Sequence, residues 1–214
     1  MFKILKVLIK VFISALLALS SQTTFADNEH LNFVALSVSK QLSSGHNLVA
    51  ASGNIHEEFN GKILYLGIAK KLESQMVWSL GYFGYFPKND KGSRDEDHRV
   101  RGSLAYTVKF DEWQLMHRSR VEYRMGQAAN GFRYRPALEL SRKVSLLDTL
   151  LVPFVEVEPF YDFRQDKVTL SLLTAGIKWP INSHVIVKLA HFNIYLNSPN
   201  RHVSGPLLAL HIKL

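Results

Sequence analysis

The chain has no cysteine among its 214 residues, which excludes a disulfide framework, a thiol nucleophile and a cysteine zinc site. It also lacks a basic block. Residues 1–26 hold three lysines and no acid, so residues 27–214 carry 23 cations against 18 acids. That mild excess is spread along the chain, whereas the footprint of a nucleic-acid binder is clustered charge. No linker rich in Pro and Ser, no low-complexity tract and no charge run divides residues 27–214, so they read as one domain. Beyond residue 26 no sustained i, i+3, i+4, i+7 pattern occurs, which argues against amphipathic helices.

What is there begins with a leader. Lys3, Lys6 and Lys10 precede the apolar run Val11 to Leu19, and Thr24-Phe25-Ala26 precedes Asp27. A basic end, a short apolar stretch and small residues at the cut make residues 1–26 a signal peptide. The apolar run is too short to cross a bilayer as a helix, which takes about 20 residues. Export across an inner membrane follows, with the outer membrane of a Gram-negative bacterium as the expected destination.

From there almost to the last residue the chain alternates with period two. Val100, Leu104, Tyr106, Val108 and Phe110 share one face, and Arg99, Arg101, Ser103, Thr107 and Lys109 share the other. Trp113, Leu115, Val121, Tyr123 and Met125 oppose Gln114, Arg118, Arg120, Glu122 and Arg124. Phe132, Tyr134, Leu138 and Leu140 oppose Arg133, Arg135, Glu139 and Lys143. Val155, Val157, Tyr161 and Phe163 oppose Glu156, Glu158, Asp162 and Arg164. Segments of roughly 10–15 residues exceed the usual strand of soluble proteins and match what a tilted membrane strand needs. A soluble sandwich has to leave so many charges wet or bury them at a cost. A barrel inverts the arrangement, with apolar side chains outside and charges within. The fold expected is therefore all-β, an antiparallel transmembrane β-barrel of 10–12 strands over residues 27–214.

Turn signals fit that reading. Glu73-Ser74, Asp111-Glu112, Leu147-Asp148 and Asn182-Ser183 mark tight connections, while Pro87 to Asp97, Gln127 to Gly131 and Asn197 to Gly205 mark longer ones on the opposite edge. Trp78, Trp113 and Trp179 gather near the tight turns; Tyr82, Phe83, Tyr85, Phe132, Tyr134, Tyr161, Phe163 and Tyr195 gather near the longer loops. Two aromatic belts give this sorting. Counting segments near 47–57, 61–72, 75–86, 97–109, 112–126, 131–144, 150–163, 167–179, 183–195 and 204–214 gives ten, with both ends of the barrel in the periplasm. Phe33 to Leu42 alternates too and raises the count to eleven, a number that bacterial single-chain barrels avoid. Either 47–57 is then not a proper strand, or the N-terminal segment splits, or one piece lies outside the barrel.

The densest charge pattern is Arg118, Arg120, Glu122 and Arg124 on one strand face, followed by Arg133, Arg135 and Glu139 and then by Glu156 and Glu158. With Arg99 and Arg101 these make a girdle of guanidinium and carboxylate groups across neighbouring strands, where opposite charges stabilise one another. Arginine's planar fork suits such pairing. The spacing Arg-x-Arg-x-Glu-x-Arg, then Arg-x-Arg with a following Glu, then Pro153, Glu158 and Phe160, resembles the outer-membrane family catalogued as domain of unknown function 2490. The resemblance covers roughly residues 31 to 214, with 97 to 164 its distinctive part. It implies an exported barrel and brings no established activity. Where the family usually carries an arginine after Asp166, this chain has Lys167-Val-Thr-Leu. The closing run Leu208, Leu210, Ile212 and Leu214 looks like the terminal signal of barrel-assembly machinery, although it ends on leucine where an aromatic is usual.

Catalytic constellations are weak. No Gly-x-Ser-x-Gly elbow occurs, and His98, His117, His191 and His211 stand singly, with His117 on the apolar parity near a tight turn. Glu156 and Glu158, two apart on one face, have a spacing compatible with acid–base work, but the arginines alongside favour ion pairing. His56-Glu57-Glu58 cannot converge on a metal from one strand, and Asn89-Asp90 and Asp95-Glu96-Asp97 read as a solvated mixed-charge loop. No metal or cofactor is expected. The function expected is a narrow conduit with a charged lumen favouring anionic solutes. The alternatives are a closed barrel for envelope integrity, its lumen filled by ion pairs, and a lipid-modifying enzyme. Outer-membrane lipid and the assembly machinery are the expected partners; the solute is unspecified.

Overall fold

Every regular element among the described residues of the computed structural model is a strand. These residues are 29–214 without 58, 89–95, 127–129, 147–148 and 198–199; the leader expected over residues 1–26 and its expected cut before Asp27 lie outside them. In order the strands are β1 (Glu29–Gln41), β2 (His46–Glu57), β3 (Gly61–Lys71), β4 (Met76–Pro87), β5 (Asp97–Phe110), β6 (Trp113–Gly126), β7 (Gly131–Tyr134), β8 (Ala137–Arg142), β9 (Val144–Leu146), β10 (Thr149–Asp162), β11 (Lys167–Pro180), β12 (Val185–Asn197) and β13 (Asn200–Lys213). Sequence neighbours pair antiparallel from β1 to β6 and from β10 to β13. β6 meets β7 and β8, which meet β10, and β9 continues along β10. β7, β8 and β9 are thus successive pieces of one broken strand, and β1 closes on β13. The result is a closed barrel with eleven strand positions.

Eleven falls within the 10–12 expected, and the eleventh is β1, which pairs along its length with β2 and again with β13. Residues 47–57 form β2, so no piece lies outside the wall. An odd number has a consequence for the ends. β1 and β13 run parallel, so residue 29 lies at the end carrying the connections after β2, β4 and β6, and Lys213 lies at the opposite end. The expectation that both ends emerge on one side is overturned, because the chain crosses the wall an odd number of times. The connection expected over Asn197 to Gly205 is also shorter, since β12 and β13 pair out to Asn197 with Asn200. Asp111 turns the β5–β6 hairpin with φ of 50°, a left-handed conformation that Asp and Asn tolerate best after glycine. The tight connection at Leu147-Asp148 and most of the two loops over 89–95 and 127–129 fall outside the described residues.

Two devices adapt the wall. The expected strand 131–144 is broken after Tyr134. The register on either side, Val157 with Leu138 and Tyr161 with Tyr134, sets Pro159 opposite Pro136. Proline has no N–H to give to a ladder, so two prolines in one register leave a gap between β10 and the broken strand. The backbone N–H of Arg135 is used on the other side, donating to Arg120 O at 2.8 Å. The second device is the parallel seam, where a Cβ on Gly205 would lie 1.7 Å from Leu31 O. Only glycine permits that approach. Gly205→Ala is expected to cost at least the ~1–3 kcal/mol of overpacking, read as a lower urea midpoint for the folded band on unheated gels; an unchanged midpoint would show that the seam gives way freely.

Alternation assigns the two faces. Val34 and Leu36 of β1, Leu66 of β3, Leu104 of β5, Tyr123 of β6 and Leu189 of β12 are exposed on the outer surface, Leu66 and Leu189 each at 51%. Inside, apolar side chains gather on one wall at the end where residue 29 lies: Leu31, Phe192 and Val203 are buried, with Phe33, Ile55 and Leu207 packed against them. The charges stand on the facing wall.

Candidate functional site

Antiparallel pairing brings the charged residues of β5, β6, the broken strand and β10 to one level. Arg101 lies directly across from Glu122, and Glu122 across from Arg133. Glu122 has 0% of its surface exposed. Its Oε1 lies 2.6 Å from Arg101 Nε and accepts from Arg135 Nη1 at 2.8 Å, and its Oε2 lies 3.5 Å from Arg99 Nη1. Arg135 then bridges to the next strand, its Nη2 donating to Glu158 Oε2 at 2.9 Å. Glu158 Oε1 accepts from Arg118 Nη2 at 3.1 Å and lies 3.5 Å from Arg120 Nη1. A carboxylate among several guanidiniums is the arrangement in which desolvated charges are tolerable, since removal of water is offset by close opposite charge and hydrogen bonds.

The network extends towards both ends. Arg99 and Arg124 are cross-strand partners, a like-charge pairing that is unfavourable alone. Asp97 resolves it by accepting from Arg99 at 2.6 Å and Arg124 at 2.7 Å. Glu139 and Glu156 also face each other across strands. Lys178 donates to both oxygens of Glu139 at 2.5 and 2.6 Å, and Arg118 lies 3.8 Å from Glu156. Arg133 stands 3.9 Å from Asp162. The expected residues Arg99, Arg101, Arg118, Arg120, Glu122, Arg124, Arg135, Glu156 and Glu158 therefore lie in one connected set, whereas Arg133 belongs to a pair with Asp162 and Glu139 to a pair with Lys178. Lys143, placed on the same face by alternation, is exposed between β8 and β9, and Arg164 is exposed in the turn after β10.

Asp97, read from the sequence as part of a solvated loop, is instead the first residue of β5 and is buried. Its signal was parity, two residues before Arg99 on the same face. Three phenylalanines join the network in a role the sequence reading did not give them: Phe83, expected in an aromatic belt, Phe160, named only in the family motif, and Phe154. The guanidinium of Arg101 sits 3.6 Å from the Phe83 ring centre and that of Arg135 3.8 Å from that of Phe160. Lys178 and Lys188 flank Phe154 at 4.8 and 4.5 Å. Ring faces carry negative potential that attracts cations most when both are dry.

Two cavities adjoin the network. One of about 420 Å³ lies between the apolar wall and Arg99, Arg101 and Arg135. A second of about 230 Å³ lies beyond Arg101, among Tyr65, Ser79, Ser103 and Arg120. Arg101 borders both. Elsewhere the sequence reading missed serine–histidine contacts, one made across strands and one within β6. His211 meets Ser37 at 2.8 Å and Ser39 at 3.1 Å over the parallel seam, and His117 meets Ser119 at 3.1 Å on the outer face. Among the described residues neither ring is hydrogen-bonded to a carboxylate, so neither forms an oriented triad. No group of three or more His, Asp or Glu among the described residues is arranged to hold a metal; Glu58 and residues 89–95 lie outside them.

A search of curated proteins finds no match. The model of the family described as protein of unknown function (DUF2490) matches residues 30–204, and the chain belongs to that family.

Proposed function

We propose that this member of the family is an outer-membrane β-barrel whose bore is closed by the ion-pair layer, holding the envelope or a ligand rather than passing solutes freely. The single observation that carries closure is Glu122, wholly buried among Arg99, Arg101 and Arg135. Barrels of about eight strands are filled by side chains and open aqueous channels belong to about 16, so eleven positions favour a filled bore. Large apolar residues exposed around the wall support a lipid surround, because soluble monomers rarely show apolar patches beyond a few hundred Å². Closure leaves no strand edge exposed to hydrocarbon. Tryptophans at the tight-turn end and the leader of residues 1–26 support the same placement. With the tight turns on the periplasmic side, residue 29 lies at the outer face. Lipid and the assembly machinery are the partners this reading implies, and the role is not catalytic.

The test has two parts. The exported protein is expected in the outer-membrane fraction, running faster on detergent gels unheated than boiled; recovery as a soluble protein without that shift would end the reading. In planar bilayers the purified protein is expected to show no steady conductance. A second reading, the narrow anion conduit, is favoured by one observation: Arg99, Arg101, Arg118, Arg120, Arg124, Arg133 and Arg135 face only Asp97, Glu122, Glu156, Glu158 and Asp162 in the network. Such an excess raises local anion concentration wherever water enters. Anion-selective currents that weaken in Arg120→Gln and Arg133→Gln would establish that reading, and cation-selective currents would rule it out.

A further inference from the structure

The cavity of about 420 Å³ is lined by two unlike surfaces. Most of its lining is apolar, from β1, β2, β11, β12 and β13, including Phe33, Phe192, Ile194 and Leu207. The charged residues that line it are three arginines, Arg99, Arg101 and Arg135; the carboxylates they pair with, Asp97, Glu122 and Glu158, are not part of the lining. Arg135 is 7% exposed, and its Nε and that of Arg99 are buried without a hydrogen-bond partner. Tyr85, a polar group in the lining, already donates its hydroxyl to Phe59 O at 3.0 Å.

We propose that this cavity binds a single-chain anionic amphiphile, a long-chain carboxylate, with its tail against the β1, β11, β12 and β13 wall and its head on Arg99, Arg101 and Arg135. Each half of the cavity excludes the other simple occupants. A purely apolar ligand would set hydrocarbon against guanidiniums whose carboxylate partners do not use all their donors, Arg99 Nε and Arg135 Nε among them, which is costly. A small inorganic anion would leave the apolar wall unmatched. A carboxylate meets the guanidinium fork in the geometry that gives the strongest charge-assisted hydrogen bonds. Phe83 and Phe160, under Arg101 and Arg135, hold the two planes in place. Small-molecule sites run from about 300 to 1,000 Å³, so the size suits one chain. The proposal needs the closed barrel and its interior faces, and does not depend on whether the layer conducts.

The protein folded in phosphatidylcholine nanodiscs, incubated with a diazirine-bearing palmitic acid and irradiated, tests it. Cross-links are expected on Phe33, Phe192, Ile194 or Leu207, displaced by palmitate at a concentration at least tenfold below that needed for hexadecanol. Arg101→Gln is expected to weaken displacement by palmitate about tenfold, the effect of one charge-assisted contact. Ile194→Trp, which fills the cavity without touching a charge, is expected to abolish interior cross-links while those on Leu36 and Leu66 persist. Labelling confined to Leu36 and Leu66, equal displacement by the alcohol, or interior labelling that survives Ile194→Trp would overturn the proposal. Should Arg101→Gln fail to fold, the comparison of acid with alcohol and the Ile194→Trp variant decide it. The gel shift and membrane fractionation stand apart from either outcome, so failure here is distinguishable from failure of the outer-membrane reading.

Discussion

Replacing Glu122 with glutamine is expected to lower the unfolding free energy of the barrel by about 3–5 kcal/mol, the cost of removing one partner from a buried ion pair. Glutamine keeps the shape, so the loss is electrostatic. Arg99, Arg101 and Arg135 then face one another around a neutral amide. Two neighbouring changes give the comparison. Glu139→Gln removes a carboxylate whose partner Lys178 has a side chain 31% exposed; water can take over solvation of that amine, so the effect is expected to be clearly smaller. Lys143→Gln, at an exposed site between β8 and β9, is expected to stay within about 0.5 kcal/mol. Urea titration of the folded band on unheated gels reads all three. A Glu122→Gln protein as stable as Lys143→Gln would show that the layer contributes little to holding the barrel.

The second large effect is on the outer surface. Leu66→Arg, midway along β3, is expected to destabilise the protein in lipid vesicles by about 2–4 kcal/mol, whereas Val108→Arg, near the tight-turn end of β5, is expected to cost at most about 1 kcal/mol. The difference is the depth dependence of placing a charge in hydrocarbon. In a barrel surrounded by water both would be ordinary surface substitutions of within about 0.5 kcal/mol, so equal and small effects would count against a lipid surround.

Much of this was legible in the alternation. Period two sets faces without reference to partners, which is why Arg99 through Arg124 and Glu156 with Glu158 could be put on one surface. The choice among 10, 11 and 12 strands stayed open at β1, where the question was which segments pair. Nothing in Phe33 to Leu42 says that it must find β13 in parallel, because parallel closure is a property of the whole circuit. The gap at Pro136 was likewise hidden: either proline alone reads as an edge or bulge, and only the register reveals Pro159 opposite. The apolar interior was missed for a different reason. Alternation was read as apolar outside and charged inside, but Leu31, Phe33, Phe192 and Ile194 show that an inner face need not be polar along its whole length. Strands apolar on both faces carry no contrast, so they are silent about which side is which. Asp97 and Phe160 were recoverable, since each lies on the parity of residues already chosen.

The central claim, a closed barrel with lipid outside and ion pairs within, is tested most directly by single cysteines, which this cysteine-free chain accepts one at a time. Cysteines at Val34, Tyr123 and Leu189, exposed on the outer face, and at Ser103 and Thr174, on the inner one, would each be given an environment-sensitive fluorophore in vesicles doped with nitroxide lipid. The account predicts strong quenching at Val34, Tyr123 and Leu189 and weak quenching at Ser103 and Thr174. The reverse pattern would mean that the register is displaced by one residue, which turns every side chain to the other face, and quenching at none of the five would contradict a transmembrane barrel.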